Sequence, residues 1–212
     1  MVRFALPLAA MSVSRVEAAA ERSELVRRAL DTARELHAGT VRDLGDDVPF
    51  IEHPLAVAEL LAEHGHDEEL IAAGLLHDTL EYTDLGLDAL RRAFGMKVAM
   101  IVSTLSEDFD IEDYAERKLE LRERIAAAGI ETQRVFAADK IANVIATRDE
   151  YAIHLEDVDL GQSVDLDDQI LNWEYDMEML HATESEEPLM KRLPEELLGL
   201  WDQRGVELSS DS

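Results

Sequence analysis

The chain has 212 residues, 47% of them hydrophobic but only 5% aromatic, with a formal net charge of -27 and no cysteine. That length suits one domain, or one domain with an extension, and it carries enough apolar residues for a real core. The charge excludes general electrostatic binding to nucleic acid or an anionic membrane. The absent thiols exclude a disulfide framework and thiolate metal ligation, so any metal must be held by His, Asp or Glu.

Abundant Ala, Leu, Glu and Arg favour helix along most of the chain. The opening MVRFALPLAAMSV holds one Arg and a short apolar run broken by Pro7, with no small-residue cleavage site behind it. Residues 1–13 are read as an unstructured leader, with Met11 an equally good start. No stretch is long enough to span a bilayer, which predicts a soluble cytoplasmic protein.

Residues 14–37 read as one helix, with Val26, Leu30, Ala33 and His37 on a common face. A Gly- and Asp-rich loop covers 39–48. His53-Pro54 opens the next helix, with Leu55, Ala58, Leu61 and Ala62 as its apolar face and Gly65 as its end. Asp67 is placed to cap the third helix. Short helices over 88–94 and 96–103 flank Gly95, and the acidic 106–113 is a loop. Helices follow over 114–128 and 131–148, then an acidic connector over 154–167. A last pair, 168–181 and 195–201, closes the domain before a Ser-rich tail. With no strand, internal repeat or GxGxxG loop, the expected fold is an all-α, multi-helix globule over 14–205, with 206–212 as the tail.

Within it, LLHDTLEYTD (75–84) is discordant: an apolar helical run leads straight into His77-Asp78, with Glu81 one turn on. Buried ionisable groups neutralise, pair or hold a metal. On a helix His77 and Glu81 stack on one face, and Asp78 lies roughly 100° around. His53 sits at a helix start, where packing against Pro54 can fix its ring. Asp139 interrupts the apolar FAADKIANV (136–144), with Asn143 one turn further on the same face. A buried Asp there needs a partner, and a metal is one of few adequate ones. Two His and two Asp suit Mn, Fe, Co or Zn better than Ca or Mg. Such an ion activates water, and Glu81 is placed to take the proton. The plainer reading is a set of unrelated core and cap residues.

The set H-P, H-D-x-x-E and D-K-x-x-N resembles the HD-domain phosphohydrolases. The flanks HAGTVRDLGDDVPFIEHPLAVAELL, AAGLLHDTLEYT and AFGMKVAMIVSTLSED resemble the (p)ppGpp hydrolase half of Rel/SpoT enzymes and the stand-alone small alarmone hydrolases. The likeness runs over about 24–205, and with no synthetase region behind it the stand-alone form is the nearer match. It implies an all-α fold with one Mn²⁺ per chain, held by His53, His77, Asp78 and Asp139. It also implies removal of the 3′-pyrophosphate of a guanosine alarmone, with Glu81 activating the water. By the same likeness Arg42 lies against the purine and Asn143 lines the nucleotide pocket. Lys140 is a phosphate contact, with a salt bridge as its alternative.

Three departures stand out. Tyr82 replaces an Asp beside Glu81 and joins it as a candidate catalytic residue, although a phenol with pKa of about 10 donates a hydrogen bond better than it accepts a proton. Thr40 replaces a Gln. Asp43, with Asp46 and Asp47, makes the loop after Arg42 acidic. The expected function is (p)ppGpp 3′-pyrophosphohydrolysis. The alternatives are hydrolysis of another phosphorylated nucleotide, or a catalytically weak nucleotide-binding regulatory module. Of the other candidates, His37 is expected as a hydrogen-bonded core residue near the site, His64 and His66 as an exposed helix end, and His154 and His181 as surface residues. Met177 and Met179, with Leu171 and Leu180, are expected in helix packing, and Arg91 and Arg92 in surface ion pairs.

Overall fold

Ser23 breaks the first helix expected from the sequence into two. In the computed structural model, which describes residues 8–42, 48–153, 166–183 and 187–203, α1 spans Leu8–Arg22 and α2 spans Glu24–Leu36. Ser23 is extended (φ -127°, ψ 119°) and its hydroxyl accepts from Val26 N at 3.3 Å, an N-cap that restarts the helix. The turn lets α1 lie on α3 (Glu52–Glu63) while α2 lies on α4 (Glu68–Leu76). Asp67 caps α4 as expected, accepting from Leu70 N at 2.9 Å.

Helices α3 and α4 pack closely because Gly74 has no side chain. A Cβ at Gly74 would come within 2.7 Å of Leu61 Cδ1 and 3.3 Å of Val57 Cγ1. The approach sets the start of α3 beside the end of α4, and so His53 beside His77. Gly74→Val is therefore expected to destabilise the protein by about 1–3 kcal/mol through overpacking. Gly74→Ala, which needs only a terminal methyl of Leu61 to move, is expected to cost less. Thermal melts of the two variants check the order.

A single turn, α5 (Thr79–Tyr82), follows α4 directly. Then come α6 (Leu87–Phe94) and α7 (Met96–Leu105), separated by Gly95 at φ +89°, a conformation L side chains rarely adopt. Asp113 caps α8 (Tyr114–Ala127) through Glu116 N at 2.9 Å. The longest helix, α9 (Ile130–Ile153), runs past its expected end. Next is α10 (Leu166–His181). The last, α11 (Pro188–Gln203), starts well before the expected 195 because Pro188 opens it and Pro194 is accommodated inside it. Leu189, Met190, Leu193, Leu197 and Leu200 make a buried stripe at three- and four-residue steps, which lies on α9.

The architecture is all-α: among the described residues the only β feature is an isolated antiparallel bridge between Val41 and Pro49. No helix among the described residues is long and apolar enough to cross a membrane. The core joins α3, α4, α7 and α9 through Leu61, Leu75, Val102 and Phe136, all essentially inaccessible.

Some side chains depart from expectation and others meet it. His66 is 10% exposed, not at an open helix end, with Nε2 2.9 Å from Glu187 Oε1. Leu171 is 44% exposed, whereas Leu180 is buried and Met177 and Met179 pack partly against the core. His64 Nδ1 lies 2.7 Å from Leu60 O, and His181 is exposed. Arg91 pairs with Asp88 at 3.1 Å. The segments 1–7, 43–47 and 206–212, and His154, lie outside the described residues.

Candidate metal centre

Three helices aim ligand-type atoms at one point. His53 comes from the first turn of α3, His77 from just past α4 and Asp139 from the middle of α9. All three are buried, and one ligand atom from each lies within 4.8 Å of the others. His53 Nε2 is 3.1 Å from His77 Nε2 and 3.1 Å from Asp139 Oδ1, and His77 Nε2 is 3.7 Å from that oxygen. Asp78 adds both its oxygens, Oδ1 3.2 Å from His77 Nε2 and Oδ2 3.6 Å from His53 Nε2.

The charged groups of this centre act strongly on one another. Burial disfavours the charged form of His77, yet the carboxylates of Asp78 and Asp139 push its pKa up to about 9. Burial and the Arg42 charge push the facing ring, His53, the other way. Burial would raise Asp139, but Lys140 and the two imidazoles hold it well below the usual carboxylate range. His77 Nδ1 lies 2.8 Å from Gly74 O, which can only accept, so Nδ1 carries the proton and Nε2 faces the centre. Imidazole nitrogens and carboxylate oxygens converging in a buried, negatively biased pocket form a donor set that fits a divalent cation.

A second layer holds these residues. Asn143 Nδ2 donates to Asp139 Oδ1 at 2.7 Å, and Arg42 Nη2 donates to Asn143 Oδ1 at 2.8 Å. Lys140 Nζ pairs with Asp139 Oδ2 at 2.8 Å and lies 4.7 Å from the Phe136 ring centroid. Arg42 is set by the backbone bonds that close its loop, Arg42 N to Val48 O at 2.9 Å and Phe50 N to Thr40 O at 2.8 Å.

The centre opens into a cavity of about 420 Å³, within the usual range for small-molecule sites. Its walls bring together all nine expected site residues: His53, His77, Asp78, Asp139, Glu81, Tyr82, Arg42, Lys140 and Asn143. Burial, then the Asp78 charge, push the Glu81 carboxyl up to about 7. Its Oε1 accepts from Glu107 N at 2.8 Å. Tyr82 is 57% exposed, and burial of its hydroxyl with the charges of Glu81 and Asp78 raises the phenol, which stays neutral. Its ring lies 5.1 Å from Phe50, which stacks on buried His37 at 4.6 Å. His37 is held by this stacking, since its Nε2 has no hydrogen-bond partner among the described residues.

Sequence reasoning missed Lys118, Glu107, Phe50, Leu105 and Leu121, which also line the cavity. Phe50 had a signal, standing just ahead of the His53-Pro54 helix start. Lys118 and Glu107 had none, because they reach the cavity from α8 and from the loop before it.

Residues 29–144 match the HD domain family. The chain is 36% identical over 126 residues to a GTP pyrophosphokinase of Streptomyces coelicolor, covering 58% of this chain and 15% of that protein. It is 35% identical over 114 residues to the guanosine-3′,5′-bis(diphosphate) 3′-pyrophosphohydrolase of Danio rerio, covering 53% of this chain and 63% of that one. A solved metazoan SpoT ortholog, described as hydrolysing ppGpp, superposes with a TM-score of 0.68 at 20% identity, over 87% of this chain and 98% of that one. The all-α fold is that of an HD domain, and the chain belongs to that family. It spans less than two thirds of the length of these curated relatives.

Proposed function

We propose that this protein is a divalent-metal-dependent (p)ppGpp 3′-pyrophosphohydrolase. The observation that carries the reading is the shared wall of one cavity: the His/Asp centre, the Glu81 carboxyl and the Arg42–Asn143 pair all face the same space. Relatives named for this activity, among them the one from Danio rerio, support the choice of substrate.

His53, His77, Asp78 and Asp139 would hold the ion, with Mn²⁺ the leading candidate. When bound, such an ion supplies Lewis acidity that makes water nucleophilic at neutral pH and draws charge from a phosphoryl group. Glu81 takes the proton of the attacking water. Its Oε1 is committed to the Glu107 N–H, so the transfer falls to Oε2. In the metal-free site burial and the Asp78 charge raise this carboxyl to about 7, so it takes up a proton more readily than an exposed glutamate. In the overall exchange a bond forms between the water oxygen and phosphorus, the bond from that phosphorus to the ribose 3′ oxygen breaks, and that oxygen leaves as a hydroxyl, taking up one proton in exchange for the one Glu81 removed from water. The products are GDP, or GTP from pppGpp, and pyrophosphate.

Arg42, Lys118 and Lys140 line the cavity beside the carboxylates of Asp78, Glu81, Glu107 and Asp139. Lys118 is paired with Glu107 and Lys140 with Asp139, so attraction of a polyanionic substrate falls to Arg42 and to the ion the site would hold. Arg42, fixed by Asn143, offers a guanidinium plane for a purine. Lys140 is already paired with Asp139, so its first task is to hold that ligand, with phosphate contact second.

Incubating Mn²⁺-loaded protein with ppGpp and separating nucleotides by ion exchange tests the reading: GDP and pyrophosphate are expected. Unchanged ppGpp with the ion bound would sink it. A second reading, another phosphorylated nucleotide as substrate, is favoured by the half-exposed Tyr82 ring at the cavity wall. The same assay with other nucleotides tests that.

A further inference from the structure

The hydrogen bond that holds Glu81 comes from an unusual place. Its donor, Glu107 N, belongs to the peptide group joining Ser106 to Glu107, just past the end of α7. The carbonyl of that same peptide group, Ser106 O, accepts from Arg124 Nη2 at 2.8 Å. One planar unit therefore carries a guanidinium on its oxygen and the Glu81 carboxylate on its nitrogen. A cation bonded to the carbonyl polarises the amide and strengthens its N–H as a donor.

Arg124 is well anchored for this task. It projects from α8, where Glu120 Oε2 accepts from Nη2 at 3.0 Å, and its other terminal nitrogen, Nη1, lies 3.4 Å from Ser103 O. It thereby takes up carbonyls at the end of α7 that no helical N–H reaches. Two turns earlier on α8, Arg117 Nε donates to Glu107 Oε2 at 2.7 Å, and Arg117 Nη1 donates to Ile111 O at 2.9 Å. Both sides of the loop at Glu107 are thus tied to α8, and its peptide N–H points at Glu81.

We propose that Arg124 is a positioning residue for Glu81, acting through the Ser106–Glu107 peptide group. This rests on Glu81 serving as the base. With the peptide fixed, Oε1 is occupied and the carboxylate keeps one orientation. Without it the side chain is free to rotate, and proton transfer from water loses its alignment.

The test joins steady-state kinetics on ppGpp with amide hydrogen exchange at Glu107, measured on the full chain. Arg124→Ala is expected to lower kcat by about tenfold with KM unchanged, part of what a positioned base contributes. Arg124→Lys, which keeps one donor for Ser106 O, is expected to recover much of the loss. It also carries the test if the alanine variant does not fold. Exchange at Glu107 is expected to speed up in Arg124→Ala and in Glu81→Ala alike. Ile125→Val, a packing change on the same helix, should move neither readout.

Wild-type kcat in Arg124→Ala would overturn the proposal, whatever the exchange shows. A fall in kcat with Glu107 exchange unmoved would overturn the route through the peptide. If the unaltered protein turns over no ppGpp, the substrate reading fails instead, and exchange alone then decides whether Arg124 holds the peptide on Glu81.

Discussion

Glu81→Gln is expected to lower kcat on ppGpp by about 10²–10⁴-fold, the usual contribution of a positioned general base. The amide keeps the size of the carboxylate, and its carbonyl oxygen can still accept the Glu107 N–H, so the fold and the cavity survive. What it cannot do is take a proton. Glu81 Oε1 bonds to a backbone amide 2.8 Å away, and the pairs at 3.7 Å or less that define the centre are made by His53, His77, Asp78 and Asp139. Bound metal should therefore stay at one ion per chain, and KM should change little. Kinetics alongside metal analysis of the same sample check this. Loss of metal together with loss of turnover would move Glu81 from base to ligand.

Asp139→Asn should have the largest effect on the protein as a whole. Asp139 is buried and serves Lys140, Asn143 and both imidazoles at once. Its removal leaves the Lys140 ammonium, itself enclosed, without its nearest anion. Breaking a buried pair from one side costs about 3–5 kcal/mol, which urea unfolding of the metal-free protein would read as a lower midpoint. A second loss appears once metal is added. At free Mn²⁺ of about a hundred times its Kd, the unaltered protein gains about 2.7 kcal/mol, and the variant should gain none. His53→Gln separates the two losses: it leaves the Lys140–Asp139 pair intact, so it should abolish the Mn²⁺-dependent rise in Tm at a smaller intrinsic cost. An unchanged Mn²⁺ response in both variants would place the ion elsewhere.

His77, Asp78 and Asp139 are legible in the sequence because each contradicts its surroundings, a charge-bearing group set in a run of Leu, Ile, Ala or Phe. Such contradictions survive without knowledge of the fold. His53 was marked by the proline behind it. Glu107, Lys118 and Arg124 carried no such mark. Each is an ordinary charged residue on an acidic, Arg-rich stretch, and only the docking of α8 against the end of α7 gives it a role. Helix boundaries show the same division. The Gly95 break was plain, since no other residue takes that backbone conformation cheaply. The break at Ser23 was hidden because the apolar periodicity continues across it. The start of α11 was hidden by Pro188 and Pro194, which look like interruptions until the buried leucine stripe beneath them is seen.

The three helices that supply the candidate ligands enter the chain far apart in order: α3 and α4 are neighbours, whereas α9 comes after α5 to α8. Contacts between neighbours close small loops and form early in folding, while long-range contacts must wait. An emerging chain can thus pair α3 with α4 and already present His53, His77 and Asp78, but the centre stays incomplete until Asp139 arrives on α9. Binding at full strength is then a report that the last long-range docking step has occurred.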